Sequence, residues 1–175
     1  MNNTYQQRGY ALIPNVLTAQ QCQQFTAIMF QLQQDSKLSA EQTTNPGFYK
    51  NSFGIGSYPA FESLLVPVGQ RIMDELKINM RPANSYARIY TNGSTLPAHV
   101  DRPGLDYTLS ISLYTDLTAP WPFYLKDLTG AELACEIPLG HGGFILGREI
   151  SHWRTPLVCT ADQRVVQLFL HWAKI

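Results

Sequence analysis

Two side chains, His99 and Asp101, stand two residues apart in the stretch PAHVDRPGL. On an extended backbone residues i and i+2 point to the same face, so an imidazole and a carboxylate converge on one point. That is half of a metal site. A chain with four histidines produces such a pair readily by chance, and a surface histidine beside a turn aspartate is the plain alternative. The chemistry therefore depends on a third ligand.

The remaining histidines differ in setting. His141 lies in a Gly-flanked turn (LGHGGF), and His171 sits near the C-terminus on the strand face opposite to Arg164. His152, in GGFILGREISHWRTPL, stands near the start of a strand that follows a Gly-marked turn, and it is the best placed. Two histidines and one carboxylate bind one face of an iron(II) ion and leave three positions for a cosubstrate and dioxygen. A structural zinc site would need four closed ligands, which this chain does not offer. The triad points to redox chemistry.

The elements that must position these groups follow from the apolar period. YALIP (Tyr10 to Pro14) reads as a short strand, and Thr18 sits where an N-cap belongs, ahead of AQQCQQFTAIMFQLQQ. Cys22, Phe25, Ile28, Met29 and Leu32 give that segment one apolar helical face. Residues 34–58 are polar, then rich in Gly and aromatics, and read as a long loop; its 41–58 part is a candidate lid. A second helix is expected from about Ala60 to Lys77, with Pro67 a possible kink. Thereafter SYARIYT, LPAHVD, YTLSISLYTD, WPFYLK, AELACEIP, GFILG, SHWRTP and RVVQLFLHW are short segments rich in β-branched and aromatic residues, most of them bounded by turn residues. They predict a mainly β sandwich or barrel with flanking helices packed outside it.

Composition bounds the function. At 175 residues the chain is expected to form one domain, 1–80 as helical support and 81–175 as β core, and a domain of that size buries roughly 70% of its unfolded surface. Thirteen basic and thirteen acidic residues cancel to zero formal charge, so no strong field draws it to nucleic acid or to an anionic membrane. Cys22, Cys135 and Cys159 form no Cys-x-x-Cys pair and are expected to be reduced thiols. Neither a signal peptide nor a membrane span is legible, which makes a cytoplasmic protein the default.

Over about residues 84–173, the motifs RIYTNG, HVDRP, YTLSISLYTD, GGFILGREISHWRTP and RVVQLFLHW, in that order, resemble the iron(II)- and 2-oxoglutarate-dependent oxygenases, most closely the prolyl-hydroxylase-like branch. The resemblance implies a double-stranded β-helix, or jelly roll, and a dioxygenase that hydroxylates an unactivated C–H bond of a protein residue, an amino acid or a small metabolite. It implies iron ligands His99, Asp101 and His152, with Arg164 and the tyrosines Tyr90 and Tyr114 on the far carboxylate of 2-oxoglutarate. Iron(II), 2-oxoglutarate, dioxygen and, as an accessory reductant, ascorbate are the implied cofactors and cosubstrates, beside a small-molecule or peptide substrate. Val166 stands where some branches carry a serine, so a tyrosine has to supply the second contact.

Arg154, two residues after His152, is expected on the metal-facing side of its strand, where it would bind an acidic group of the substrate. Trp121 and Tyr124 either line the opposite wall or fill the core. Three rival readings are a demethylase of alkylated nucleobases, a non-catalytic jelly-roll module that binds a small acid, and a cupin-like metal protein. The neutral charge counts against the first, metal-dependent succinate formation separates the second, and His-x-Asp in place of His-x-His counts against the third.

Overall fold

The computed structural model describes residues 3–40 and 51–175. A short helix α1 (Asn3–Arg8) and strand β1 (Tyr10–Ile13) precede α2 (Ala19–Gln34), which starts where the sequence places its cap. The Thr18 hydroxyl accepts from Gln21 N–H and the Gln21 side chain accepts from Thr18 N–H, which satisfies two otherwise orphaned donors. Strands β2 (Ser39–Ala40) and β3 (Ser52–Gly56) follow. The expected helix over 60–77 is divided into α3 (Pro59–Glu62) and α4 (Leu65–Leu76). Pro67 does not kink it: it falls in the first turn of α4, where a missing N–H costs no helical hydrogen bond.

Eight further strands complete the chain: β4 (Met80–Tyr90), β5 (Leu96–His99), β6 (Tyr107–Thr115), β7 (Phe123–Lys126), β8 (Glu132–Cys135), β9 (Gly142–Leu146), β10 (Ser151–Arg154) and β11 (Val165–Lys174). They form a seven-stranded sheet ordered β1-β9-β6-β11-β4-β3-β2 and a four-stranded sheet ordered β5-β10-β7-β8, with antiparallel neighbours. This is the expected jelly roll with helices outside.

The period of two sorts the large sheet into two faces. Ala87, Ile89, Leu109, Ile111, Val166, Leu168 and Leu170 pack with Met29, Phe61, Leu65, Val68 and Ile72, so the main apolar core lies between sheet and helices. Trp172 joins it, and its indole N–H donates to Leu65 O at 3.0 Å. The opposite face looks toward the small sheet, with a cluster of Tyr90, Leu157 and Val165 and another of Phe123, Leu125, Ile145 and Ile150. Cys22 and Cys135 are buried and Cys159 is half-buried, all as free thiols. Among the described residues no helix is long and apolar enough to cross a membrane.

The expected loop and lid over 41–58 needs correction where it is described, while 41–50 lie outside the described residues. β3 is a sheet strand, paired with β4 from Ser52↔Tyr90 to Gly56↔Tyr86. Its glycines carry the reason. A Cβ on Gly54 would meet the Tyr86 hydroxyl at 2.1 Å, so the Tyr86 ring lies where a side chain of β3 would be. Glycines that read as loop formers are here a seat for an aromatic ring.

Candidate metal centre

β5 and β10 are antiparallel neighbours whose register sets His99 opposite His152, with ring centroids 4.2 Å apart. Asp101 lies beyond the end of β5, so the loop and not the strand period delivers its carboxylate. Its N–H donates to Gly147 O at 2.7 Å, in the turn between β9 and β10. Asp101 Oδ1 then stands 3.9 Å from His99 Nε2 and 3.8 Å from His152 Nε2. One ligand atom from each of the three residues lies within 4.8 Å of the others.

Each group is held from behind. His99 Nδ1 is 2.9 Å from Pro97 O and His152 Nδ1 is 3.0 Å from Ile150 O. A carbonyl only accepts, so both Nδ1 atoms carry the proton and both Nε2 lone pairs face inward. The Thr108 hydroxyl donates to Asp101 Oδ2 at 2.5 Å and leaves Oδ1 toward the histidines. Gly147 makes room for this: a Cβ there would fall 2.3 Å from Asp101 Oδ2.

Burial sets the charge states. It holds the His152 imidazole down at about 3, helped by neighbouring His99, and lowers His171 to about 4. Both rings are neutral near pH 7, the form that ligates metals. Burial also raises the Asp101 carboxyl above its ordinary value, against the Thr108 hydrogen bond and the nearby His171 and His99. A half-buried carboxylate facing two imidazole rings suits a cation between them. The donor set, neutral nitrogen plus one carboxylate oxygen, suits a divalent first-row metal such as iron(II).

The triad opens into a cavity of about 500 Å³ between the sheets. His99, His152 and Phe123 belong to the small sheet; Tyr86, Arg88, Thr108, Ser110, Phe169 and His171 come from the large one. His171 Nδ1 is buried with no hydrogen-bond partner among the described residues. Asn84, Arg88, Thr108, Ser110 and His171 make the large-sheet wall polar.

The structure brings His99, Asp101 and His152 together as the sequence predicts, but not all of their expected companions. Arg164 does not line the cavity. Val165, Gln167, Phe169 and His171 alternate onto the cavity side of β11, and Arg164 has the opposite parity. Its guanidinium donates to Ala161 O at 2.7 Å and Gln163 O at 2.8 Å. Tyr114 is likewise turned away: Val166 pairs Tyr114 and Gln167 pairs Ser112, so Leu113 is an extra residue that reverses the facing beyond it. Its ring packs edge-on against Phe30 of α2.

Tyr90 is fully buried, does face the small sheet, and its hydroxyl lies 3.4 Å from Arg88 Nη1. Arg154 shares the buried face with His152 but is no cavity-lining group. It donates to Trp121 O, and its guanidinium lies 4.6 Å over the Trp121 ring and 5.6 Å from Phe123. Tyr124 stacks with Trp153 on the outer face of the small sheet, and Phe123 between Trp121 and Tyr124 supplies the cavity wall. Arg88, Thr108, Phe123, Gly147 and His171 were not singled out by sequence reasoning. The strand parity of His171, opposite to Arg164, was the available signal.

No protein-family model and no curated protein sequence matches the chain. Solved structures do. A prolyl-4-hydroxylase from Pseudomonas putida is 13% identical over 99% of this chain and 96% of its own, with a TM-score of 0.79. A Trichoplax adhaerens prolyl hydroxylase, solved with a hypoxia-inducible-factor peptide, is 12% identical over 98% of this chain and 86% of its own, at 0.77. The non-heme α-ketoglutarate-dependent carbocyclase SnoK of nogalamycin biosynthesis is 13% identical over 97% of this chain and 81% of its own, at 0.76. The fold is that of the non-heme, α-ketoglutarate-dependent oxygenases.

Proposed function

We propose that the protein is an iron(II)- and 2-oxoglutarate-dependent dioxygenase that hydroxylates an unactivated C–H bond. One observation carries the reading: one ligand atom from each of His99, Asp101 and His152 gathered within 4.8 Å of the others at the wall of a cavity about 500 Å³ in size. His99, Asp101 and His152 would hold the metal on one face, leaving the cavity side open. The bound iron supplies the redox chemistry by which dioxygen, 2-oxoglutarate and a C–H bond become succinate, carbon dioxide and an alcohol. Thr108 fixes the carboxylate, the Pro97 and Ile150 carbonyls fix the ring tautomers, and Phe123 and Phe169 give the cavity its aromatic wall.

The substrate is a small molecule or a peptide side chain that reaches the triad through this cavity. The test is incubation of the iron-loaded protein with 2-oxoglutarate, ascorbate, dioxygen and a pooled set of peptides, metabolites and alkylated nucleobases. Mass gain of one oxygen in a pool member, absent from His152→Ala, is the expected result. Release of a demethylated base instead of an oxygenated product would favour the nucleobase demethylase.

A further inference from the structure

We propose that Asn84 and His171 bind an amide group of the substrate, so that the substrate is a peptide or a carboxamide; the inference rests on the function proposed above. Both residues line the cavity, and they stand opposite each other in register on β4 and β11. Asn84 Oδ1 and His171 Nδ1 are each buried with no hydrogen-bond partner among the described residues. His171 is only 7% exposed. Two adjacent orphaned polar atoms on a cavity wall cost stability unless a ligand partners them.

The backbone is built to bring Asn84 there. His171 pairs Asn84 but Trp172 pairs Pro82, so Ala83 is an extra residue in β4. Met80, ahead of this bulge, packs in the core with the helices, as do Ala87 and Ile89 beyond it. On an unbroken period of two, Asn84 would share the side of Met80. The bulge reverses the facing and sends Asn84 to the cavity.

Thr108, His171 and Asn84 form one row across β6, β11 and β4. Thr108 holds Asp101 Oδ2, so the row starts at a ligand of the triad and ends at Asn84. Arg88, the buried cation of this wall, stands four residues further along β4, about 13 Å of extended backbone. The row itself thus suits a neutral group. An asparagine offers an acceptor and two donors in one plane, and the imidazole adds one hydrogen-bonding nitrogen at Nδ1. A planar amide matches this set: its N–H donates to Asn84 Oδ1 while its C=O accepts from the Asn84 amide. An ester accepts but cannot donate, and leaves Oδ1 unpaired.

The test uses three probes of one size on the zinc-loaded protein saturated with 2-oxoglutarate, titrated by saturation-transfer NMR. N-methylpropanamide stands for a peptide bond, propanamide for a carboxamide, and methyl propanoate for the ester. Wild type is expected to bind one of the amides about tenfold more tightly than the ester, the scale of one well-placed hydrogen bond. Preference for the secondary amide identifies a peptide substrate; preference for the primary amide identifies a carboxamide. Asn84→Leu brings amide and ester to within about twofold of each other and leaves zinc and 2-oxoglutarate binding unchanged. His171→Leu lowers the preference. Gln167→Leu keeps it, because Gln167 Oε1 is also buried without a partner among the described residues but Gln167 does not line the cavity.

A wild type without preference for either amide, or a preference intact in folded Asn84→Leu, overturns the assignment and leaves the proposed function standing. Loss of 2-oxoglutarate binding in folded Asn84→Leu also overturns it, since Asn84 would then serve the cosubstrate. If Asn84→Leu does not fold, Asn84→Ala and His171→Leu decide. A zinc-loaded wild type that does not bind 2-oxoglutarate fails the function itself.

Discussion

Adding one methyl group at Gly147 tests how the site is built. An alanine Cβ there would sit 2.3 Å from Asp101 Oδ2, 2.9 Å from Leu105 O and 2.9 Å from Thr108 Oγ1. Real Cβ contacts essentially never fall below 3.0 Å, so the carboxylate has to retreat by at least 0.7 Å. Metal–ligand distances tolerate about 0.2 Å. Gly147 is not among the residues with positive φ, so alanine accepts the backbone and the clash is the whole perturbation.

Crowding of this kind costs about 1–3 kcal/mol, which a domain with roughly 5–15 kcal/mol of stability survives. Metal affinity, in contrast, is expected to fall by about 100-fold, the upper end for disturbing a group that orients a ligand. Calorimetric titration with cobalt(II), beside circular dichroism and a melting curve, reads both effects. Gly143→Ala is the control, because its Cβ meets only the movable end of Ile137 at 2.9 Å and other contacts beyond 3.4 Å. Wild-type metal affinity in a folded Gly147→Ala protein would refute the reasoning.

Thr108→Val removes the hydroxyl that holds Asp101 Oδ2 while keeping its shape, and is expected to weaken metal binding about 10–100-fold with the melting temperature little changed. Trp172→Ala empties a fully buried position and removes the indole hydrogen bond to Leu65 O; urea unfolding should show a loss of about 3–5 kcal/mol. Asp127 accepts from the Thr129 hydroxyl, and from the Thr129 and Ala131 N–H groups, which hold its carboxyl below the usual range. Its stabilisation is therefore full above the unfolded carboxylate value near ~3.9 and is lost as pH falls through the lower folded one; the stability gap between wild type and Asp127→Ala should narrow in that acid window. Arg154→Gln should lower stability without abolishing metal binding, because Arg154 braces Trp121 and lies off the cavity; loss of metal binding in the folded variant would contradict that placement.

The jelly roll and the three donors were legible because each rests on a local pattern. Alternation marks the strands, and His-x-Asp plus a histidine after a Gly turn marks the triad. What surrounds the triad was not legible, because facing depends on registers that no single segment carries. One extra residue in β6 turns Tyr114 toward α2, and one step along β11 separates Arg164 from the cavity side. Arg88 was not legible for the same reason: its place on the cavity wall comes from the packing of its strand against the sheet that carries His99 and His152. Gly54 misled, since glycine marks both a loop and a close approach, and only the Tyr86 ring distinguishes them.

The measurement closest to the central claim is iron-dependent conversion of 2-oxoglutarate to succinate in the presence of dioxygen and the pooled substrates, followed by carbon-13 NMR. Wild type is predicted to form succinate only with iron(II), and Asp101→Ala, folded by circular dichroism, to form none. Succinate formed without iron, or at the wild-type rate in Asp101→Ala, or 2-oxoglutarate left intact by the iron-loaded wild type, would contradict the account.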